Sequence, residues 1–530
     1  MGNDFKKVFL NEKTYFILLF IFSLSISFFY TVDQRAINAA LILSDKINYS
    51  DVQNVLNITY SNSWTLTYQI LKFLINIGVN LKFLNFSILC ISIFINTLGI
   101  YLISQSISKN IIYSLFISCF LILSNIVLGN VNFGNLDYPV LIASEHTNGM
   151  LSQAITILIF GLIARNNFNL AIIISILTLA FHVLIGLWLL TILSLSFLLF
   201  KKNFFMTNFF IKKNMISIIS VLLIVILSFV KFKFNQIDII FEENNYLYNL
   251  YLEYWDLHRN KLSVINYKYI FFSTILVILI SISFKKENKN NHFFFKVVIL
   301  QVLISFTIYI FYKIFPNLFS SILVKIMPTR FFLTHSVFGV AIILSLIFFH
   351  LKKKLLNKKF FLLPILILLI HPVLNYEKYI NLFKKLSNNH LMSENESENY
   401  FWKKVENTNI EDGYILTSIE ICSKTIQKGY KPILFCIESI DDIAYINKLV
   451  VPIHDIIETI YEFDFENPPE RNHGGIWYND SYREVFEKRT FTEWVNISSK
   501  YKINALILPI DWKINAKILF FGKKYNYYIF

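Results

Sequence analysis

Basic residues punctuate every second loop of this chain. Lys6 and Lys7 precede the first apolar run. Then come Lys109, Arg165, Lys201 and Lys202 with Lys212 and Lys213, Lys285, Lys286 and Lys289, and Lys352 to Lys354 with Lys358 and Lys359. Between these loops lie long apolar stretches, and a chain so built folds as a helical membrane protein with its lysine-rich loops in the cytoplasm. Expected crossings fall at residues 14–31, 82–104, 111–129, 148–164, 168–182, 184–200, 215–233, 267–284, 293–312, 331–350 and 360–375. Eleven crossings leave the amino terminus inside and the tail outside.

Hydrophobic residues make up 55% of the 530 positions and charged residues 16%, a balance that excludes a large soluble enzyme. The net charge of +14 would suggest nucleic acid in a soluble protein. Here much of it sits in short cytoplasmic loops, where it orients helices and meets anionic lipid, so nucleic acid is not an expected partner. The basic start runs into an apolar span without a small-residue cleavage site, which reads as a retained signal anchor.

Residues 1–375 form the expected transmembrane domain, with a long first external loop over 32–80. That loop carries interfacial-helix spacing at Ala36–Leu43 and Leu66–Ile77, as in a lid lying on the membrane. A second external loop covers 234–266. The spans meeting at His182 are short for a bilayer and predict a tight helical hairpin running on to Gly186. Residues 376–530 form an expected α/β domain outside the membrane, with strand-like runs at Tyr414–Thr417, Pro432–Phe435, Ala505–Leu508 and Ile518–Phe521. Helix-like stretches lie near Ser439–Lys448 and Ser481–Lys500. Cys422 and Cys436 lie in this tail, where an oxidising compartment permits a disulfide.

The scarce polar residues of the external loops are the candidates for chemistry. Asp33 follows the first crossing, where a carboxylate can hold or deprotonate an acceptor hydroxyl, or pair with Arg35 as helix punctuation. Asp137, Glu145 and His146 form a second set, able to bind a divalent cation through oxygen or to cap the next helix. Asp256, His258 and Arg259, with Arg330 at the start of a later span, offer a grip for a lipid-linked phosphate or a partner for a neighbouring acid. His182 and His335 lie at membrane depth, where a packing hydrogen bond is the commoner role. No phosphate-binding glycine loop, HExxH or GxSxG motif is present.

With Asp33 heading a long first external loop, eleven crossings and an exported α/β tail, the chain resembles the polytopic GT-C glycosyltransferases that use polyprenyl-phosphate sugars. His182, Gly186, Leu187 and Trp188 are similar to a His-x-x-x-Gly-Leu pattern in uncharacterised bacterial membrane proteins of this type. Gly413 to Thr417, and Glu493 and Trp494 followed by Tyr501 to Pro509, are similar to exported tails of such enzymes. The resemblance implies an inverting transfer to a glycan, lipid or protein acceptor at the outer face of the cytoplasmic (inner) membrane. Asp33 would orient or deprotonate the acceptor hydroxyl, and Arg259 or Arg330 would stabilise the leaving lipid phosphate. The tail would recognise the acceptor or guard the cavity, with the His473 to Gly475 turn as a flexible rim or simply a loop. Many of these enzymes carry two adjacent acids in the first loop, whereas this chain has Asp33 and Gln34. Asp45, Asp51 or Glu145 could complete the site, and the metal is left undefined. The alternative is a non-catalytic or transport component, flippase-like, polymerase-like or ligase-like, handling a lipid-linked glycan.

Overall fold

The computed structural model describes residues 12–30, 32–63, 65–128, 147–201, 212–234, 236–256, 267–284, 292–315, 338–350, 377, 380, 396–409, 412–470 and 477–530. The helices before the tail are α1 (Glu12–Phe29), α2 (Arg35–Leu43), α3 (Val55–Asn62), α4 (Leu66–Asn76), α5 (Leu81–Ser108), α6 (Ile111–Leu128), α7 (Thr147–Ala164), α8 (Phe168–Phe181), α9 (Val183–Phe200), α10 (Lys212–Phe234), α11 (Asn245–Leu250), α12 (Tyr267–Phe284), α13 (His292–Ile314) and α14 (Phe338–His350). The tail adds α15 (Glu396–Asn407), α16 (Cys422–Gly429), α17 (Ile437–Asp442), α18 (Val450–Ile456), α19 (Asp480–Lys488) and α20 (Phe491–Tyr501). Its strands are β1 (Tyr414–Thr417), β2 (Ile503–Pro509), β3 (Lys517–Phe521) and β4 (Tyr525–Ile529).

Two compact units emerge. One is drawn from within Met1–Val32, Phe86–Ser228 and Lys261–His390, the other from within Asp33–Asn85, Phe229–Asn260 and Leu391–Phe530. In the first, α5, α9 and α13 are long and apolar enough to cross a membrane. Shorter apolar helices occupy seven further expected spans, within α1, α6, α7, α8, α10, α12 and α14, and the expected span 360–375 lies outside the described residues.

Hydroxyls in these helices fold back on their own turns. Ser23 donates to the Leu19 carbonyl at 2.8 Å, Thr156 to Ser152 at 2.9 Å and Ser305 to Gln301 at 2.8 Å, so no water is needed to satisfy them. Helices α5 and α7 touch backbone to backbone. A Cβ on Gly161 would lie 2.8 Å from the Gly99 carbonyl, and the Ser106 hydroxyl reaches the Ala164 carbonyl at 2.7 Å. Stacked rings fasten α14 to its neighbours, Tyr113 on Phe348 at 3.8 Å and Phe160 on Phe338 at 4.4 Å.

The expected hairpin at His182 is present. This residue alone separates α8 from α9, with extended backbone (φ −157°, ψ 101°). Its N–H donates to the Thr178 carbonyl at 2.8 Å and its carbonyl accepts from Gly186 at 3.0 Å, so both helix ends close on the corner. A Cβ on Gly186 would stand 2.6 Å from the Leu179 nitrogen, which gives this glycine a packing reason.

The second unit holds a sheet of order β1-β2-β4-β3, with β1 parallel to β2 and the other pairs antiparallel. Phe401, Trp402 and Val405 of α15 pack with Ile415, Ala505, Ile507 and Tyr527. Pro432–Phe435, expected as a strand, makes one bridge to β1, between Ile433 and Ile415. Side chains of the first loop take up its remaining backbone groups: the Tyr49 hydroxyl bonds both the N–H and the carbonyl of Ile433 at 3.2 Å, and Asn54 donates to the Leu434 carbonyl at 3.1 Å. The stretch near Ser481–Lys500 is two helices, because Thr490 begins a new one with a capping box: its hydroxyl accepts from the Glu493 N–H while its own N–H donates to the Glu493 carboxylate.

Candidate functional site

The first loop is built into the tail's unit. Every residue of α2 from Arg35 to Ile42 is buried, so the stretch expected as an interfacial helix at Ala36–Leu43 is core. Its apolar residues run all round the helix, the pattern of a helix covered on more than one side.

The polar residues on α2 are its anchors. Arg35 Nε lies 3.2 Å from Glu438 Oε1 and its NH1 lies 4.0 Å from Asp441, with the Arg35 and Glu438 side chains each only 10% exposed. Gln427 Nε2 donates to the Gln34 carbonyl at 3.0 Å and to Asn38 Oδ1 at 2.8 Å. Asn38 Nδ2 donates to the Ser423 hydroxyl at 2.9 Å. Asn85 closes the ring, accepting from the Gln34 N–H at 2.7 Å and donating to Gln427 Oε1 at 2.9 Å. These amides are buried and used on both sides, the condition under which a buried polar network specifies one arrangement. Burial, reinforced by the Glu438 charge, pushes the Tyr60 hydroxyl well above its ordinary value.

The described residues 236–256 belong to the same unit. Asn62 and the Ile237 backbone exchange bonds of 3.1 and 2.9 Å, Gln53 donates to the Asp238 carbonyl at 2.9 Å, and Tyr248 donates to the Ala444 carbonyl at 3.2 Å. Trp255, in a π-helical turn over Tyr251–Trp255, donates to the Phe465 carbonyl at 2.7 Å and packs on Phe465 and Trp477.

Asp33 stands directly before this network, partly buried, and the next residue has both its N–H and its carbonyl held. Its position in the chain is fixed by the clamped backbone of its neighbour. Asp256 is 1% exposed at the end of the π turn, so it is no open-rim ligand. His182 is the half-buried corner of α8 and α9 in the other unit. The candidates Asp137, Glu145, His146, His258, Arg259, Arg330 and His335, and the His473 to Gly475 turn, lie outside the described residues.

Cys422 and Cys436 form a disulfide with Cα atoms 6.1 Å apart, within the usual range for such bridges. Among the described residues, these two sulfurs and a Glu438 oxygen are the metal-type ligand atoms that converge, all within 4.8 Å. Both sulfurs are used in the bridge and Glu438 in the pair with Arg35, so this cluster does not suit a metal. The bridge fastens two segments that each hold α2, through Ser423 and through Glu438.

The sequence offers Arg35 as a partner of Asp33 and marks none of Asn38, Asn85, Gln427 and Glu438, whose partners are distant in the chain. For Asn38 and Asn85 the available signal is an amide within an apolar helical stretch, since buried amides need partners. No protein-family model matches the chain, and a search of curated proteins returns no match.

Proposed function

We propose that the chain is a membrane glycosyltransferase that moves a sugar from a polyprenyl-phosphate donor to a glycan, lipid or protein acceptor on the extracytoplasmic face. The carrying observation is the position of Asp33 at the entry to a unit made jointly from the first loop, the second loop and the tail, with the adjacent backbone clamped by Asn85 and Gln427. In this reading Asp33 takes the proton of the acceptor hydroxyl while the hydroxyl oxygen attacks the anomeric carbon. The bond from that carbon to the phosphate oxygen breaks, and polyprenyl phosphate leaves with the electron pair. Arg259 or Arg330 neutralises the leaving phosphate.

The membrane arrangement proposed is eleven crossings with the amino terminus cytoplasmic. Segments that share a folded unit must share a side of the membrane. Six expected crossings separate the first loop from the second and four separate the second from the tail, both even numbers. The lysines play no part in this parity. The Cys422–Cys436 bridge supports an oxidising compartment for that side.

The test is incubation of the purified, bilayer-reconstituted protein with a panel of polyprenyl-phosphate sugars, following release of polyprenyl phosphate. Release from at least one donor, dependent on acceptor, is expected. Flipping of a donor between leaflets without release would favour the transport reading instead.

A further inference from the structure

Helix α4 has two apolar faces, and only one of them is covered. Tyr68, Leu71 and Ile75, with Thr67, are buried. On the other side Ile70, Phe73 and Ile77 are 45%, 63% and 60% exposed, at the i, i+3, i+7 spacing of one continuous stripe. Phe83, at the start of α5, is 61% exposed and extends the apolar surface.

The joint between α4 and α5 is short and fully bonded. Gly78 (φ +85°) ends α4 in the left-handed conformation, with its N–H on the Ile75 carbonyl at 3.0 Å and that of Val79 on the Leu74 carbonyl at 3.0 Å. Asn80 then caps α5, its side chain accepting from the Lys82 N–H at 2.8 Å. Only residues 77–80 separate the helices, a reach of at most about 14 Å. Among the described residues α5 is one of three helices long and apolar enough to cross a membrane, and where it does so α4 cannot leave the vicinity of the surface that α5 enters. From Thr65 to Asn85 the only charged residues are Lys72 and Lys82, with no acid among them. Basic residues flanking an apolar stripe suit an anionic headgroup layer.

We infer that α4 is an interfacial helix whose Ile70, Phe73 and Ile77 stripe is seated among the headgroups and upper acyl chains of the leaflet that α5 enters. The inference requires only that α5 spans the membrane, and it holds whether or not the protein transfers sugars.

The test uses the full chain with Cys90→Ser and Cys119→Ser, carrying a nitroxide on Phe73→Cys, on Ile77→Cys or on Glu484→Cys. The last is a control site, 78% exposed, in the tail. Each is reconstituted in phosphatidylcholine vesicles containing phosphatidylglycerol. Relaxation is compared between oxygen, which partitions into the bilayer, and a water-soluble nickel chelate. Labels at positions 73 and 77 should favour oxygen several-fold while the Glu484 label favours the chelate. Labels at 73 and 77 that respond to the chelate as the control does would overturn the inference. So would labels shielded from both reagents, since a second copy or another protein would then cover the face.

Discussion

Replacing Glu438 by glutamine should loosen α2 from the tail without unfolding the sheet. The pair it breaks is 3.2 Å long and its two side chains are 10% exposed. At an effective dielectric of about 20 the gross attraction is about 5 kcal/mol, most of it offset by the desolvation of both groups. Removing one partner of such a pair typically costs about 3–5 kcal/mol, because the other charge is stranded. Asp441, 4.0 Å from Arg35 and 36% exposed, still offers partial compensation, which places the expected cost near the lower end, about 3 kcal/mol. Hydrogen exchange in a bilayer reads this locally: at about 1.4 kcal/mol per tenfold, amides of Ala39 to Ile42 should exchange roughly a hundredfold faster. Those of Leu506 and Ile507 in β2 should change little. The double change Arg35→Met with Glu438→Leu removes both charges and should return α2 to within about tenfold of the parent. An α2 exchange rate unchanged in Glu438→Gln, or an equal acceleration in β2, would refute the reasoning.

Asp455 gives a pH-dependent prediction. Burial pushes its carboxyl up, but hydrogen bonds from Lys500 and Tyr501 outweigh it and hold the group below its ordinary value. A depressed carboxylate stabilises the fold above its unfolded pKa of about 3.9, and that stability is lost as pH falls through the folded value. Asp455→Asn should therefore lower the tail's melting temperature at pH 7, and the difference from wild type should close below about pH 4; a difference constant from pH 7 to pH 3 would contradict this. Opening the Cys422–Cys436 bridge, which spans 14 positions, should cost about 3 kcal/mol by loop entropy. Exchange of α16 and α17 amides with and without reductant checks this, and identical exchange would count against a structural bridge.

The two halves of this molecule differ in how much their sequence discloses. Long apolar stretches mark helices because each must satisfy its backbone internally: among the described residues three of the expected spans are helices long enough to cross a membrane and seven others hold shorter apolar helices. Strands β1, β2 and β3 were legible from β-branched and aromatic runs, whereas β4, Tyr-Asn-Tyr-Tyr-Ile, hides a strand with three buried central residues behind polar atoms. Helix α2 looks interfacial in sequence because an apolar helix beside a membrane and one inside a small domain have the same local pattern. Its true cover comes from residues such as Gln427, 389 positions from Asn38, and no local pattern carries that separation. Asp33 stands out in the sequence as a rare acid expected at a membrane rim. Its backbone clamp does not, since Asn85 and Gln427 are 342 positions apart.

The most direct measurement on the glycosyltransferase proposal is single-turnover release of polyprenyl phosphate by wild-type protein and by Asp33→Asn, at saturating donor and acceptor. Loss of a general base costs roughly 100- to 10,000-fold, so release should fall by that factor while α2 hydrogen exchange stays at the wild-type rate. Equal release by both proteins, or no release from any polyprenyl-phosphate sugar by the wild type, would contradict the account.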